Sequence, residues 1–131
     1  MKTIKLFPIF VFFGCFGINV YSSPKSVNKN DAVPGYRTEF NILYCTVDGD
    51  KLTLNAFIPE NAQTPAPAMI DIHGGWWFGG EPATTISNVF SSKGIAVFSI
   101  EYRLGKNGGF PENIRDCRNA VRFVRKKCKA V

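Results

Sequence analysis

The sequence predicts an α/β fold that begins with an antiparallel hairpin and continues as β-α-β-α with parallel strands. Two observations support this prediction. Residues 51–58 alternate apolar and polar side chains directly after an Asp-Gly turn signal, which is typical of a hairpin strand. Two short apolar runs, at residues 68–73 and 95–102, flank a helix-length segment, which is typical of a βαβ unit. A length of 131 residues with 45% hydrophobic content fits one globular domain.

Residues 1–22 have the layout of a secretory signal peptide. Two lysines precede an apolar run over residues 6–20, and small residues surround Ser22. A signal anchor is the alternative, but Pro8 and two glycines interrupt the run, which is shorter than the roughly 20 apolar residues of a membrane span. We therefore expect a secreted or periplasmic protein with no stable membrane span once the signal is cleaved.

A lipoprotein-type site is another interpretation of the same stretch. Cys15 follows a glycine, as at sites of cleavage and acylation, but phenylalanines stand where Leu and a small residue are usual. Cleavage after Ser22 is therefore preferred to anchoring at Cys15. Residues 23–36, rich in Ser, Asn, Lys and Pro, are expected to form an exposed leader into a domain of residues 37–131.

The hairpin is predicted from two β-like runs, residues 40–47 and 51–58, joined across the Asp-Gly-Asp turn of residues 48–50. In the second run the apolar members of the alternation are expected to face one core. They are Leu52, Leu54, Ala56 and Ile58.

The helix between the parallel strands is predicted over residues 81–93. Pro82 suits its first turn, and Gly94 suits the position just past its end. Its apolar residues at helical spacing are expected to face the sheet; they are Ala83, Ile86, Val89 and Phe90. The strand that follows is nearly continuous in apolar residues, as expected for a parallel strand covered on both faces.

A second, amphipathic helix is predicted after the Phe110-Pro111 step. Its apolar stripe recurs at three- and four-residue intervals and consists of Ile114, Cys117, Val121, Val124 and Cys128. Arginines and lysines take the opposite face, with no aromatic platform among them for nucleic-acid binding. A solvated helix face is therefore preferred, and the net charge of +6 is not taken to indicate a nucleic-acid partner.

Export would permit disulfides among the cysteines that follow the signal, namely Cys45, Cys117 and Cys128. Cys117 and Cys128 would lie about 16 Å apart along one helix, whereas bridged α-carbons lie within about 7 Å. Burial as small apolar residues is preferred for both. No metal site is predicted, because His73 is the only histidine and no two cysteines are close in sequence.

Residues 73–80, His-Gly-Gly-Trp-Trp-Phe-Gly-Gly, carry the clearest chemical signal in the chain. They stand between a predicted strand and a predicted helix. A glycine-rich turn in that place leaves backbone amides pointing outward, where an anion or a polarised oxygen can bind. The stretch therefore predicts an oxyanion site.

These features together resemble the N-terminal half of the α/β-hydrolase carboxylesterases, in particular a secreted esterase and lipase-like group whose strand-3 loop reads His-Gly-Gly-x-Trp. The likeness rests on that loop, on Glu-Tyr-Arg-Leu at residues 101–104, and on an Asp-x-x-x-Ala-Val-Arg-aromatic-x-Arg pattern at residues 116–125. It covers about residues 38–127. It implies the N-terminal part of a three-layer sandwich, hydrolysis of carboxylic esters through an acyl-enzyme, and no cofactor. Small acyl esters or acetylated carbohydrate are the implied substrates.

The resemblance also implies roles for the glycine-rich loop. His73, Gly74, Gly75 and Trp76 would form the oxyanion loop, with the amides of Gly74, Gly75 and Trp76 as candidate donors. Trp76 stands where the commoner form of the motif has a third glycine. The rings of Trp76, Trp77 and Phe78 either line the acyl or alcohol pocket or pack the loop against the first helix, and both interpretations stay open.

The nucleophile, acid and base that such a loop would serve are not found in this sequence. No Gly-x-Ser-x-Gly string occurs, and His73 is expected to bond to loop backbone rather than act as the base. Four carboxylates, Glu81, Glu101, Glu112 and Asp116, are interpreted as helix-start or loop residues. The 131-residue chain alone is predicted to be inactive. The strand at residues 68–73 is predicted to lack a neighbour on one edge.

Three origins remain open: a partial sequence of a complete esterase, which is preferred, a shortened inactive relative, or one part of a split gene. Two rival functions also remain. One is a catalytically inactive secreted domain that binds a carbohydrate or a partner through Trp76, Trp77 and Phe78. The other is a formamidase or peptidase of the same fold.

Overall fold

The computed structural model describes residues 10–13, 35–60, 66–82 and 85–129. Within these ranges the strands form one mixed sheet in the order β1-β4-β5-β3-β2. The strands are β1 (Phe10–Phe13), β2 (Tyr36–Val47), β3 (Asp50–Pro59), β4 (Ala68–Ile72) and β5 (Ala96–Ile100). The helices are α1 (Thr85–Ser91) and α2 (Glu112–Lys129), with a short 3₁₀ turn at Gly105–Asn107.

The predicted hairpin is confirmed as β2 and β3. Val47 pairs with Asp50, so the connection is the two-residue turn of Asp48 and Gly49, both with positive φ, as in a type I′ turn. β2 begins at Tyr36, earlier than the predicted start at residue 40. The reason is tertiary: the Tyr36 ring is buried beside Phe57, with 6.3 Å between ring centroids.

β3 is buried on both faces, although the alternation predicted one buried face. Leu52, Leu54 and Ala56 lie in the core on one side of the sheet, as predicted. Phe57, which the alternation places on the opposite side, is only 1% exposed and lies in a second core there. Residues of α2 belong to the first core and Phe90 of α1 packs against the second, so both faces of β3 are covered.

The predicted βαβ unit is confirmed. β4 and β5 pair in parallel, with Ala68 opposite Ala96 and Ile72 opposite Ile100. Gly94 has a φ of 84° and ends the turn after α1. Its amide donates to the Ser91 carbonyl, and the amide of Ile95 donates to the Phe90 carbonyl. This is the Schellman arrangement, which confirms Gly94 as the residue just past the helix end.

The face that α1 turns to the sheet agrees with the predicted one at Phe90, which packs against the second core, and differs from it elsewhere. Ile86 and Val89 are about half exposed, whereas Ser87 and Ser91 are buried. The Ser91 hydroxyl donates to the Phe57 carbonyl at 3.0 Å. Apolar spacing misassigned this face because small hydroxyl residues make the contact with the sheet. Pro82 precedes the described helix, and Ala83 lies outside the described residues.

α2 covers the opposite side of the sheet, which confirms the predicted α/β layering. Its residues Ala120 and Val124 are buried in the core that contains Leu54 and Ile70. Cys117, Val121 and Cys128 are half-buried as predicted, but Ile114 is 39% exposed and the prediction for it was wrong. Polar residues occupy the buried positions at this end of the helix, namely Asn113 and Asp116.

The outer edge of β4 is occupied by β1. The two strands run parallel, with Phe10 opposite Met69 and Phe13 opposite Ile72. The edge that was expected to lack a neighbour is thus paired by residues of the predicted signal peptide, not by the partner that the resemblance places there. Most of the predicted signal peptide and leader, residues 1–9 and 14–34, lies outside the described residues, and cleavage after Ser22 stays a prediction. In the described part of the chain, neither helix has the length and apolarity needed to cross a bilayer.

Candidate functional site

The glycine-rich loop leaves the carboxyl end of β4 and turns back on itself at once. The amides of Phe78 and Gly79 both donate to the Gly75 carbonyl, at 3.1 and 3.2 Å. Between them, Trp76 and Trp77 have φ values of 56° and 63°. Bulky side chains rarely adopt this left-handed region, and each such residue costs on the order of 1–3 kcal/mol. The loop is therefore strained at the position where the commoner motif has glycine.

Two glycines give this loop its shape. A β-carbon on Gly75 would collide with the Gly79 carbonyl, and one on Gly80 would collide with the Gly74 carbonyl and the His73 ring. Gly74 differs, because no described atom lies within 4 Å of a β-carbon placed there. Gly75 and Gly80 are thus required by the fold of the loop, whereas Gly74 leaves open space for a bound group.

His73 is held by its own loop. Its Nδ1 lies 2.8 Å from the Gly74 carbonyl oxygen, and since a carbonyl can only accept, Nδ1 carries the hydrogen. The ring stacks on Tyr102, with 4.6 Å between centroids, and the Tyr102 hydroxyl donates to the His73 carbonyl at 2.7 Å. Burial raises the pKa of Tyr102, which keeps the hydroxyl protonated as a donor. This geometry agrees with the interpretation of His73 as a residue that bonds to loop backbone.

Exposed amides remain on the loop. In the described part of the chain, the amides of Gly74, Gly75, Trp76 and Trp77 donate to no acceptor. All four residues are exposed at the carboxyl end of β4. The three donors that the resemblance implies are among them. Chemically, a backbone N–H group without an acceptor can donate to an oxygen atom that carries negative charge.

The aromatic residues of the loop are strongly exposed. Trp76 and Phe78 are 86% and 85% exposed, and Trp77 is 57% exposed. Such exposure argues against close packing of Trp76 and Phe78 on the first helix, while the lining of a pocket stays a prediction. The loop before α2 adds Phe110, which is 86% exposed. A bond from the Gly105 amide to the Trp77 carbonyl, at 2.7 Å, joins these two loops.

A buried ion pair supports the second loop. Arg103 donates from Nε to Asp116 Oδ2 at 2.8 Å and from Nη2 to Oδ1 at 3.0 Å. Its guanidinium also reaches Asp48 and Glu112, at 3.2 and 3.3 Å. The hydrogen bonds to Asp116 are the main cause that raises the pKa of Arg103, and the charges of Asp116, Glu112 and Asp48 add to the rise. The interpretation of Asp116 as a helix-start or loop residue was wrong, because it lies buried within α2. The pair connects the Glu-Tyr-Arg-Leu segment to the Asp of the helix pattern.

The other three carboxylates lie at a helix start or in loops. Glu112 is the first residue of α2, which confirms its helix-start interpretation. Glu101 follows β5 and accepts a hydrogen bond from the Thr53 hydroxyl at 3.0 Å. Glu81 is exposed in the loop before α1.

Asp71 and Ser99 form a polar contact that sequence reasoning missed. The Ser99 hydroxyl, which is buried, donates to Asp71 Oδ2 at 2.7 Å across the β4–β5 pair. Burial raises the pKa of Asp71, while the Ser99 hydrogen bond and the nearby His73 oppose that rise. A single carboxylate within the apolar run Ala-Met-Ile-Asp-Ile was the signal that could have revealed it.

The three described cysteines, Cys45, Cys117 and Cys128, are free and half-buried. Burial raises the pKa of Cys117 to about 11, with Asp116 as a further cause. The Asn119 amide donates to Cys45 Sγ at 3.6 Å. Across the described ranges, no group of three or more His, Cys, Asp or Glu residues is placed to hold a metal ion.

Comparisons with known proteins place these features among esterases. The family model described as BD-FAE matches residues 54–131. Gut esterase 1 of Caenorhabditis briggsae is 30% identical over 74% of this chain and 19% of its own length. Neuroligin-like protein glit-1 of Caenorhabditis elegans is 36% identical over 60% of this chain and 12% of its own length. A thermophilic esterase from Thermogutta terrifontis, 28% identical, superimposes with a TM-score of 0.59 over 71% of this chain and 34% of that structure. The chain therefore spans well under half of each of these proteins.

Proposed function

Because the chain belongs to the BD-FAE family of α/β-hydrolase proteins, we propose that it supplies the oxyanion loop of a secreted serine carboxylesterase. The observation that carries this proposal is that Gly74, Gly75 and Trp76 are exposed at the carboxyl end of β4 and that, among the described residues, their amides find no acceptor. The esterase relatives support ester hydrolysis in general.

The loop would act while an ester is being attacked. A serine oxygen bonds to the ester carbonyl carbon, and the carbonyl oxygen gains the negative charge. The ester C–O bond then breaks, the alcohol leaves with a proton from the base, and water later releases the acid. Fixed donors at the developing oxyanion are worth roughly 3–4 kcal/mol each. The Gly74, Gly75 and Trp76 amides are the donors that we assign to this role.

The serine, acid and base would lie outside these 131 residues. No Gly-x-Ser-x-Gly occurs in the sequence, and its single histidine already donates from Nδ1 to the Gly74 carbonyl. The Thermogutta terrifontis esterase has been solved phosphorylated by paraoxon, which supports a reactive nucleophile in the complete proteins of this fold.

The substrate class that we propose is a small-molecule or acetylated carbohydrate ester, met outside the cell after removal of residues 1–22. A formamidase or peptidase would need the same loop and would differ in parts not present here. N-terminal sequencing of the exported protein tests the location, and a start at Ser23 is expected. A mature protein that retains Met1, or carries lipid at Cys15, would contradict it.

Turnover of p-nitrophenyl acetate by the 131-residue chain tests the assignment of the nucleophile. We expect no rate above a buffer control and no labelling by a serine-directed fluorescent phosphonate, with a complete carboxylesterase as the positive control. Turnover that the phosphonate abolishes would show that the nucleophile lies within this chain, against the proposal.

The coding sequence after codon 131 supplies an independent test. A Gly-x-Ser-x-Gly soon after it, followed by an acidic residue and a histidine, is expected. A stop codon there, together with an intact mass of 14.6 kDa for the unprocessed chain, would contradict a partial esterase.

A catalytically inactive binding domain is the second candidate, and the exposure of Trp76, Phe78 and Phe110 favours it. One relative is named as neuroligin-like rather than as an esterase. Titration with soluble acetylated xylan fragments, followed by tryptophan fluorescence, tests this function. Saturable quenching that Trp76→Ala removes and Ile86→Ala leaves intact would favour binding. No change in fluorescence would count against it.

A further inference from the structure

Each candidate oxyanion donor shares a peptide unit with a carbonyl that is already hydrogen-bonded. A planar trans peptide unit joins the carbonyl of one residue to the N–H of the next, and the two groups point in opposite directions. A hydrogen bond to the His73 carbonyl therefore sets the direction of the Gly74 N–H. In the same way, a bond to the Gly74 carbonyl sets the Gly75 N–H, and a bond to the Gly75 carbonyl sets the Trp76 N–H.

Two of these carbonyls are bonded from within the loop. The Gly75 carbonyl accepts from the amides of Phe78 and Gly79, at 3.1 and 3.2 Å. The Gly74 carbonyl accepts from His73 Nδ1, at 2.8 Å. Because this second donor is a side chain, it stays in place only while the His73 ring does.

Tyr102 bonds to the third carbonyl from outside the loop. Its hydroxyl donates to the His73 carbonyl at 2.7 Å. Its ring also lies against the His73 ring, with 4.6 Å between centroids and 25° between the planes. Tyr102 thus contacts His73 twice. The hydroxyl fixes the peptide unit that carries the Gly74 N–H, and the ring supports the imidazole that holds the Gly74 carbonyl.

The chain on both sides of Tyr102 is itself held in place. The carbonyl of Glu101, before it, accepts from the hydroxyl of Tyr44. Arg103, after it, donates to the buried Asp116 from its backbone amide at 3.2 Å and from Nε at 2.8 Å. Tyr102 is only 6% exposed. Its side chain therefore has a fixed place from which to bond to the loop.

We propose that Tyr102 is a positioning residue of the oxyanion loop. Its hydroxyl orients the Gly74 N–H, and its ring keeps the His73 imidazole where it orients the Gly75 N–H. Tyr102 does not touch the ester in this role and acts through the two peptide units. Donors that are fixed before the negative charge develops stabilise it without reorganising. This inference rests on the proposed function of the loop.

NMR of the full 131-residue chain tests the proposal without any substitution. A rigid backbone N–H has an order parameter of about 0.85, and a flexible one falls below about 0.6. We expect rigid values at Gly74 and Gly75, although both residues are exposed. His73 is the only histidine, so its ring nitrogens are identified directly, and the neutral ring should carry its hydrogen on Nδ1. A flexible value at either glycine, or a neutral ring with its hydrogen on Nε2, would overturn the proposal.

Tyr102→Phe removes the hydroxyl and keeps the ring. We expect the order parameter of Gly74 to fall below about 0.6, because its peptide unit loses the bond from Tyr102. Gly75 and the tautomer of His73 should stay as in the wild type. An unchanged order parameter at Gly74 would contradict the role of the hydroxyl.

Tyr102→Leu removes the ring as well. Both glycines should then become flexible, and part of the neutral His73 should carry its hydrogen on Nε2, because the imidazole has lost its support. A merely structural loss would not change the tautomer of one loop histidine in a chain that stays folded. If the Leu and Phe variants behave alike, the ring has no role of its own and that part of the proposal fails.

Tyr44→Phe is the matched control. It removes another buried hydroxyl that donates to a backbone carbonyl, that of Glu101, and it should leave both glycines and the tautomer unchanged. Loosening of the loop as large as in Tyr102→Phe would count against the assignment to Tyr102. Amide exchange in β3 reports whether each variant is folded, and if a Tyr102 variant unfolds, the wild-type order parameters and tautomer decide. None of these measurements uses ester turnover, so failure here is distinguishable from failure of the proposed esterase function.

Discussion

At the scale of single residues, Trp76 and Trp77 combine strain with a position at the candidate site. Both have left-handed backbone, and the amides of residues 74–77 donate to no acceptor within the described chain. Strain of this kind persists only where the surrounding structure fixes it, as the bonds to the Gly75 carbonyl do here.

Substitution Trp76→Gly tests the strain. Glycine accepts positive φ without steric cost but loses more backbone entropy on folding, and the exposed indole contributes little burial. We expect the free energy of unfolding in urea to rise by about 0.5–1 kcal/mol. Phe78→Gly is the matched control, because Phe78 is equally exposed without a positive φ; it should lower stability. A loss of stability in Trp76→Gly as large as in Phe78→Gly would show that the strain is not there.

Asp71 predicts a pH dependence of stability. Because its folded pKa is raised above the ordinary 3.8, the folded state holds its proton more tightly than the unfolded state. Its stabilising contribution is fully present below pH 3.8 and is lost as pH rises through the folded pKa. The unfolding free energy of the wild type should therefore decline as pH rises above 3.8, and Asp71→Asn should lack this part of the decline. Urea denaturation at a series of pH values measures it. The exposed Asp50→Asn controls for charge removal, and parallel pH profiles for wild type and Asp71→Asn would contradict the prediction.

At the scale of elements, the Arg103–Asp116 pair connects the loop after β5 to α2. Removing one partner leaves the other charge buried without compensation, which typically costs about 3–5 kcal/mol. Asp116→Asn should lower the free energy of unfolding by an amount in this range. Glu112→Gln removes a more exposed partner of the same guanidinium and should cost less than about 1 kcal/mol. Similar losses in the two variants, measured by urea denaturation with circular dichroism, would argue against the importance of the buried pair.

The turn between α1 and β5 depends on the positive φ of Gly94. Gly94→Ala places a side chain at a φ of 84°, and we expect it to cost about 1 kcal/mol. Gly109→Ala is the control: both sites have open space for a β-carbon among the described atoms, but Gly109 does not have a positive φ. Thermal unfolding of Gly109→Ala should be close to that of the wild type. Equal effects at the two sites would mean that backbone conformation is not the cause.

At the scale of the whole molecule, the sheet places its most buried strand at its centre. Every residue of β5 is buried, whereas β2 lies at an edge and is largely exposed. Protection against amide exchange follows burial and hydrogen bonding. Native-state hydrogen exchange should be at least about tenfold slower in β5 than in residues 37–43 of β2. Equal exchange in the two strands would indicate that the sheet opens only as a unit.

Much of this architecture was predictable from local pattern. The Asp-Gly turn correctly predicted the hairpin, and the uninterrupted apolar run correctly predicted β5. Gly94 correctly predicted where α1 ends. The errors in the buried faces of the two helices share one cause: apolar spacing cannot show which neighbour a helix face contacts. α1 buries Ser87 and Ser91 instead of Ile86 and Val89, because the sheet contact there uses small hydroxyl residues.

The sequence alone determined the order of elements and predicted the chemistry of the glycine-rich loop, since both depend on residues adjacent in the chain. The tertiary structure decided the burial of Asp116 with Arg103, the contact of Asp71 with Ser99, and the partner of β4. Each of these joins segments far apart in sequence, where loop closure and burial, rather than local propensity, select the contact. The loop could likewise be predicted as an oxyanion site from its residues alone, whereas the left-handed turn at Trp76 and Trp77 was visible only in the folded structure.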